Sequence, residues 1–562
     1  MALLSNYFYT IINMKLIQIR YQIWYRIRVI IRSLLKLKYK MSIDKEGFPI
    51  EMDKWIEKNN SFKNFEFEFL NHNISYLIET KNGDFNSKID WNEKRSGKLW
   101  AYNLNYMDYL LQPKMDRKTG LQLIQLFIDD IGKNAIGMEP YPISLRSINW
   151  IKFITSCSND GKDLNNQINL QIKKINASLY AQYQILLDNL EYHLCGNHLL
   201  ENAFSLLFGA FYFQDNFLWN KSINILKSEL EEQILPDGAH IELSPMYQQI
   251  ILDRLLDCCN LLKNNYQFQG QQELFTLIEK KAVKMHQWLN CMTFVNGEIP
   301  LFNDATNSIA PKKNQLDNYV IRLGIAKCNC LKSSKLYESG YRKFIKKNYE
   351  CIFDIDGISP AYQPGHSHAD TFNFELFIKG KPVIVDTGVS TYNAGYRRSL
   401  ERGSSSHNTV TIGHRNSSKV WASHRVGKRA LVDIKIDEPN LVFVSHNGYS
   451  EFNKTIYRKF ESGNNYLLLT DVIESQNKLF NGSKASIRQR GVSHLHFHPN
   501  RQVVLKDGII LIDNLAEITC EGMLNIKLDE YNYAPEFNKL LQSLVCEITF
   551  ENRLLLRINV MN

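Results

Sequence analysis

Residues 365–378 read GHSHADTFNFELFI. From Thr371 onward the stretch alternates. Phe372, Phe374, Leu376 and Ile378 fall on one side of an extended chain, and Thr371, Asn373, Glu375 and Phe377 on the other. That is the two-residue period of a strand, whose successive side chains point to opposite faces. Short β-rich runs follow at 382–386, 408–412, 430–436, 441–445, 466–472, 502–505, 509–513 and 553–560. Turn signals separate them, among them Asn447-Gly448 and Asp507-Gly508. Many short strands with such punctuation predict an antiparallel sandwich.

Upstream the period is different. Between about 100 and 340, apolar residues recur three and four apart, as in Leu255, Cys258, Cys259 and Leu262, the spacing of amphipathic helices. Helices are predicted at 121–131, 147–156, 173–190, 198–213, 221–233, 247–264 and 272–290. Pro140-Tyr141-Pro142, Pro236-Asp237-Gly238 and Asn296-Gly297 mark loops. Serial antiparallel helices of this length suit a toroid or solenoid. At 562 residues the chain is too long for one ordinary core. The expected division is an N-terminal segment, 1–60, a helical domain, 61–340, and a strand domain, 341–562, with the basic stretch at 340–350 as linker.

Composition narrows the function classes. Hydrophobic content of 44% and charged content of 22% are globular values. The net charge of +9 favours acidic partners without choosing among them. No zinc-finger spacing, RNP-type strand or Walker loop occurs, so nucleic acid is not expected as a partner. The ten cysteines form no pair of CxxC motifs, which argues against thiolate zinc and for buried free thiols.

The first 40 residues carry eight Lys/Arg and no Asp/Glu. They lack the clean apolar core and small-residue cleavage site of a secretory signal, and no run reaches the roughly 18 apolar residues of a spanning helix. Residues 16–36 suit an amphipathic helix, with Ile19, Ile23, Ile27, Ile30 and Leu34 on one face and Arg28, Arg32 and Lys36 on the other. Two placements are open: on an anionic membrane surface, or against the protein body with the basic face solvated. The expected location is the cell envelope or a membrane surface, with the cytoplasm as alternative.

Four segments carry chemistry. In Cys195-Gly196-Asn197-His198-Leu199-Leu200-Glu201, polar residues crowd a helix start, and His198 and Glu201, three apart, share a face. In Asp237-Gly238-Ala239-His240-Ile241-Glu242-Leu243-Ser244-Pro245-Met246-Tyr247, a turn precedes a Ser-Pro helix start, which places Tyr247 in the first helical turn. In 366–370, extended geometry would point His366, His368 and Asp370 to one face. His368, Asp386 and His407 form a two-histidine, one-carboxylate set of the type that holds zinc, or else an internal hydrogen-bond network. His494, His496 and His498 alternate and read as a satisfied polar face or a substrate-edge contact.

In order along the chain, Tyr102-Asn103-Leu104-Asn105-Tyr106, Tyr141-Pro142-Ile143-Ser144-Leu145-Arg146, Asn149-Trp150, Gly196-Asn197-His198, Ser244-Pro245-Met246-Tyr247, Pro300-Leu301-Phe302-Asn303-Asp304, Gly365 to Asp370, Asp386-Thr387-Gly388 and Ser406-His407-Asn408-Thr409-Val410 resemble the heparinase II/III family of polysaccharide lyases. The resemblance implies an N-terminal (α/α) toroid followed by a C-terminal antiparallel β-sandwich. It implies β-elimination on an anionic, uronate-containing polysaccharide. On the matching positions, Asn197 with His198 would neutralise the substrate carboxylate, Tyr247 would act as base, acid or both, and His366 as the histidine of the strand side. His368, Asp386 and His407 would hold a divalent metal, zinc by preference, in a structural role. Glu201 would orient His198. Tyr392 or Tyr396 would supply a further phenol, and Arg146 and Arg402 are candidates for meeting substrate carboxylates. The basic N-terminus points to capsule or exopolysaccharide production rather than secreted degradation. The competing function class is a non-catalytic polysaccharide-binding or assembly protein on the same scaffold. Hydrolysis by paired carboxylates ranks lower, because Asp237, Glu242 and Asp304 offer no clear pair.

Overall fold

The computed structural model describes residues 2–79, 85–159, 166–325, 335–475 and 490–561. Helices dominate its first part: α1 (Ala2–Ile12), α2 (Leu16–Leu34), α3 (Lys98–Tyr106), α4 (Arg117–Asp130), α5 (Pro140–Asn159), α6 (Asn166–Asp188), α7 (Gly196–Phe213), α8 (Asn216–Gln233), α9 (Pro245–Asn264), α10 (Gln271–Met292) and α11 (Lys313–Arg322). Neighbours in sequence pack as pairs, α7 on α8 and α9 on α10, with α5 against α7. This is the toroid half. Its core is lined by residues such as Trp150, Phe204, Phe208, Leu252 and Leu255, all buried. Pro140-Tyr141-Pro142, expected in a loop, opens α5 instead. Proline is tolerated in a first turn, where its missing N–H has no intrahelical partner to lose.

The strand half begins at Lys335. A five-stranded antiparallel sheet runs in the order Lys381–Ile384, Phe374–Ile378, Tyr349–Asp354, Tyr341–Ile345, Lys335–Leu336. The expected linker at 340–350 is therefore two buried strands of this sheet. Their cations are consumed locally: Arg342 pairs with Asp437 and Lys343 with Glu350. A ten-stranded sheet packs with it, built around the long strands Ala516–Glu536 and Lys539–Val560. The Ile384–Phe497 bridge joins the two sheets. Asp507 and Gly508 both take positive φ in the two-residue hairpin turn between Val503–Lys506 and Ile509–Ile512, as that turn requires. Phe374–Ile378 is buried on both faces, so its alternation marks the strand but not a solvent side.

A third apolar cluster joins the halves. Leu243, Trp288, Phe294 and Phe302 from the helical side meet Tyr341, Ile352 and Phe377 from the strands. Phe294 stacks on Phe377 with centroids 3.7 Å apart, a favourable aromatic arrangement.

Candidate active site in the inter-domain cleft

A cleft of about 570 Å³ opens between the halves, lined by Tyr102, Asn197, His198, Tyr247, His366 and Tyr392 among others. The helical side brings three of these, Asn197, His198 and Tyr247, from helix starts. Asn197 is the second residue of α7 and Tyr247 the third of α9. Pro245 sits at the first position of α9, which fixes where Tyr247 emerges.

The α7 start is unusual. Cys195 and Gly196 both have positive φ, at 58° and 57°. A Cβ on Gly196 would lie 2.7 Å from Glu242 Oε1, so only glycine allows the carboxylate this close. Glu242 uses the approach: Oε1 accepts from the Asn197 backbone N–H at 3.0 Å and Oε2 from its side-chain amide at 3.3 Å. A carboxylate there also faces the positive end of the helix. The neighbouring Leu243 has φ 52°, a strained position for a bulky residue. Its carbonyl accepts from the Tyr341 hydroxyl at 2.6 Å and the Asn303 amide at 3.0 Å, and these bonds hold the turn in place.

His366 and His368 leave the predicted extended geometry, because 365–373 is an irregular loop. Both rings nevertheless converge on one carboxylate. His366 Nδ1 lies 2.8 Å from Asp304 Oδ2, and His368 Nε2 lies 2.8 Å from Asp304 Oδ1. Arg398, in α12 (Tyr396–Glu401), completes a bidentate pair on Asp304 at 2.5 and 2.6 Å. Burial alone would raise the Asp304 carboxyl. The Arg398 guanidinium and the two histidine hydrogen bonds outweigh burial and hold it well below the usual carboxylate range. An ionised Asp304 can only accept. It therefore holds a proton on His366 Nδ1, and Nε2 lies 3.6 Å from Glu242 Oε2.

The Tyr247 ring lies 4.2 Å from the His366 ring, centroid to centroid, and its hydroxyl is 3.5 Å from that of Tyr392. Burial, the Tyr392 hydroxyl and the Glu242 and Asp304 carboxylates push the Tyr247 phenol well above its ordinary value. Burial and Asp304 do the same to Tyr392, against the lowering effect of Arg398. Both phenols therefore keep their protons at neutral pH. His198 Nδ1 bonds Glu191 Oε1 at 2.9 Å. Burial would lower this imidazole, but Glu191 outweighs burial and raises it.

The structure thus brings Asn197, His198, Tyr247, His366 and Tyr392 together. It places other predicted residues elsewhere. Tyr396 is 83% exposed on the surface and does not line the cleft. Glu201 does not orient His198; it pairs with Arg254, and Glu191 takes the orienting place. Arg146 is buried in the toroid, bonded to Gln182 and the Asn105 carbonyl. Arg402 is buried against the carbonyl of Ser367. Neither guanidinium faces the cleft, because each satisfies interior carbonyl or amide oxygens. His494 and His496 are buried and do not line the cleft; His494 Nε2 meets Thr411 Oγ1 at 3.0 Å and His496 bonds Asn408, so neither is a substrate edge.

The predicted metal set is arranged as two hydrogen-bonded pairs. His407 Nδ1 meets Asp386 Oδ2 at 2.8 Å, and the same oxygen accepts from Asn373 at 2.6 Å. His368 is turned to Asp304. The His368 and His407 rings lie 5.3 Å apart. Among the described residues no three His, Cys, Asp or Glu side chains gather closely enough to hold a metal ion, so the expected cage is not preformed. The donor chemistry still suits zinc at two points. His368 Nδ1 and His407 Nε2 are buried without a hydrogen-bond partner among the described residues, a costly state unless water or an ion meets them.

Glu191 and Arg398 carry no local signal of a site, and Glu242 and Asp304, no clear pair in the sequence, serve instead to hold Asn197 and the two histidines. Asp304 lies 62 residues from His366 and 94 from Arg398, so no local spacing connects them.

Comparison with known proteins agrees with this layout. A family pattern described as "Heparinase II/III N-terminus" matches residues 144–322, and one described as "Heparinase II/III-like, C-terminal" matches residues 331–554. A heparin-sulfate lyase of Bacteroides stercoris is 28% identical over 252 residues, which are 40% of this chain and 37% of that protein. The match thus spans under two-fifths of the relative's own length. Among solved structures, one of Heparinase III has a TM-score of 0.64 at 16% identity, covering 86% of this chain and 80% of that one. The heparan sulfate lyase HepC from Pedobacter heparinus has a TM-score of 0.55 at 16% identity, covering 89% and 81%. At such identity the likeness is one of fold, helical half followed by strand half.

Proposed function

We propose that this chain, which belongs to the heparinase II/III-like family, is a polysaccharide lyase that cleaves a uronic-acid-containing polymer by β-elimination. One observation carries the reading: a protonated phenol and an imidazole, contributed by opposite halves, lie with their ring centroids 4.2 Å apart in a cleft between them. Binding alone needs no such pair.

In the elimination, a base removes the proton at C5 of the uronate. The C4–O bond breaks, the electrons form a C4–C5 double bond, and the departing oxygen takes a proton. Asp304 holds His366 by Nδ1, and in the neutral ring Nε2 is the base. Tyr247, its proton held by burial, is the acid; Tyr392 passes it a replacement proton through the 3.5 Å contact and takes one from water, while His366 releases the C5 proton to water. The charge that develops on the substrate carboxylate needs donors aimed at it. Asn197 supplies an amide and His198 a ring whose protonated form Glu191 favours.

The names of the relatives put sulfated glycosaminoglycans first among substrates to try. We place the natural role in capsule or exopolysaccharide production, on the strength of the basic N-terminal helices. A scan for the absorbance of unsaturated uronate, across heparan sulfate, alginate, hyaluronan and the source cell's own capsule, tests the reading. Product from one of them is expected. Saturable binding with no product from any, metal supplied, would leave a binding protein.

A further inference from the structure

Helix α2 is packed inside out. Its polar side faces the protein. Gln18, 1% exposed, donates to the carbonyls of Leu194 at 3.0 Å and Tyr362 at 3.4 Å. Tyr21 stacks on Tyr192, and the Tyr25 hydroxyl donates to the Leu190 carbonyl. Arg28 donates to Asn189 and Arg32 pairs with Asp188 at 3.6 Å. These positions are spaced by three and four, so they form one face. The opposite face carries Leu16, Ile23, Trp24, Ile27, Ile30 and Leu34, all exposed, Leu34 by 76%. The expectation that a body-packed α2 would leave its basic face solvated is thereby reversed. Helix α1 extends the surface with Leu4, Phe8, Ile11 and Ile12, also exposed, and is tied down on its other side by the Tyr7–Trp421 ring contact and Thr10 on the Val426 carbonyl.

A surface helix ordinarily buries its apolar stripe and solvates its charges. Here the reverse holds in α2, α1 adds further exposed apolar side chains beside it in sequence, and an exposed apolar surface of this kind marks an interaction site. Its rim selects the occupant. Arg20, Arg26, Lys36, Lys38 and Lys40 are exposed around it, and residues 1–40 hold no acid. Two copies docked face to face would bring these cations together. An anionic lipid surface satisfies both features, taking the apolar side chains among its acyl chains and the cations at its headgroups. We infer that α1 and α2 lie flat on an anionic membrane through this face. Among the described residues no helix is long and apolar enough to cross one. Gln18 bonds Leu194, which lines the cleft, and Tyr362, which precedes cleft-lining Gln363. The membrane face and the cleft are therefore held by a shared brace. The inference stands whether or not the cleft cleaves its polymer.

Flotation of the full chain with phosphatidylcholine vesicles, with and without an equal share of phosphatidylglycerol, is the test. Binding to the anionic vesicles, weakened by salt, is expected. Ile23→Ser/Ile27→Ser/Ile30→Ser should lower the bound-to-free ratio at least about tenfold, with the melting curve shifted little, since the three side chains lie on the exposed face. Arg20→Glu/Arg26→Glu should lower it on anionic vesicles only. A full chain that ignores both vesicle types, binds them equally, or loses nothing in the triple variant overturns the inference. So does a vesicle-free dimer that the triple variant dissociates.

Discussion

At the scale of single residues the cleft is organised around Asp304, which receives Arg398, His366 and His368 with no solvent exposure. Breaking one partner of such a buried ionic set leaves the others unpaired. Asp304→Asn is expected to cost about 3–5 kcal/mol at neutral pH, measured by denaturant unfolding. The sign of its pH dependence follows from the depressed folded carboxyl. The stabilisation is complete above the ordinary value of 3.8 and drains as pH falls below it toward the folded value. The gap between wild type and variant should therefore close in acid. Tyr247→Phe and His366→Ala are each expected to reduce turnover about 10²–10⁴-fold, the range of general acid–base catalysis, read by the uronate absorbance. Full activity in either would sink the assigned roles. His198 makes a separate prediction. Its raised imidazole is cationic at lower pH, so KM should climb as pH passes upward through a value above 6.5, and His198→Gln should flatten that climb. For the metal, the two orphaned imidazole nitrogens lead us to expect zinc by elemental analysis of the wild type and its loss in His368→Ala; metal-free, fully stable protein would leave the paired hydrogen bonds as the whole account.

At the scale of elements, positions that needed only local patterning were legible. The Ser244-Pro245 start of α9 and the Asp507-Gly508 hairpin follow from the preference of proline for a first helical position and from turn chemistry that the residues carry themselves. The choice between Tyr392 and Tyr396 did not, because a short loop and the start of α12 decide it by turning one ring inward and the other out. The orientation of α2 was equally invisible: periodicity reports two faces but not which one meets the body. Gly196 sets the geometry of the α7 start. Its φ and the 2.7 Å approach of Glu242 mean that Gly196→Ala strains the α7 start and displaces the carboxylate that holds Asn197. A loss of about 1–3 kcal/mol is expected from the backbone conformation, together with a rise in KM as Asn197 loses its aim. Unchanged KM with lowered stability would show that Glu242 does not position the amide.

At the scale of the whole molecule the two halves have separate cores, and the proposed chemistry needs residues from both. Tyr247 belongs to the toroid, while His366 and Tyr392 belong to the strand half. What sets their separation is the boundary cluster, a feature no stretch of sequence announces because its members lie between 239 and 377 and pack only after both halves form. The Phe294–Phe377 stack brings its rings closer than the Trp288–Tyr341 and Phe302–Tyr341 pairs of the same cluster. Phe377→Ala removes that stack and part of the buried surface, at a cost of about 3–5 kcal/mol. That cost falls on the boundary rather than on either core. Calorimetry should therefore change in form as well as in midpoint: one cooperative transition in the wild type, and two in the variant as toroid and sandwich unfold independently. Turnover should fall with it even though Phe377 is not a cleft residue, because Tyr247 and His366 no longer hold their 4.2 Å approach, and acid–base chemistry tolerates little misplacement. A variant that keeps one transition and full turnover would mean that the hydrogen bonds of Asn303, Asp304 and Tyr341 align the halves without the apolar cluster.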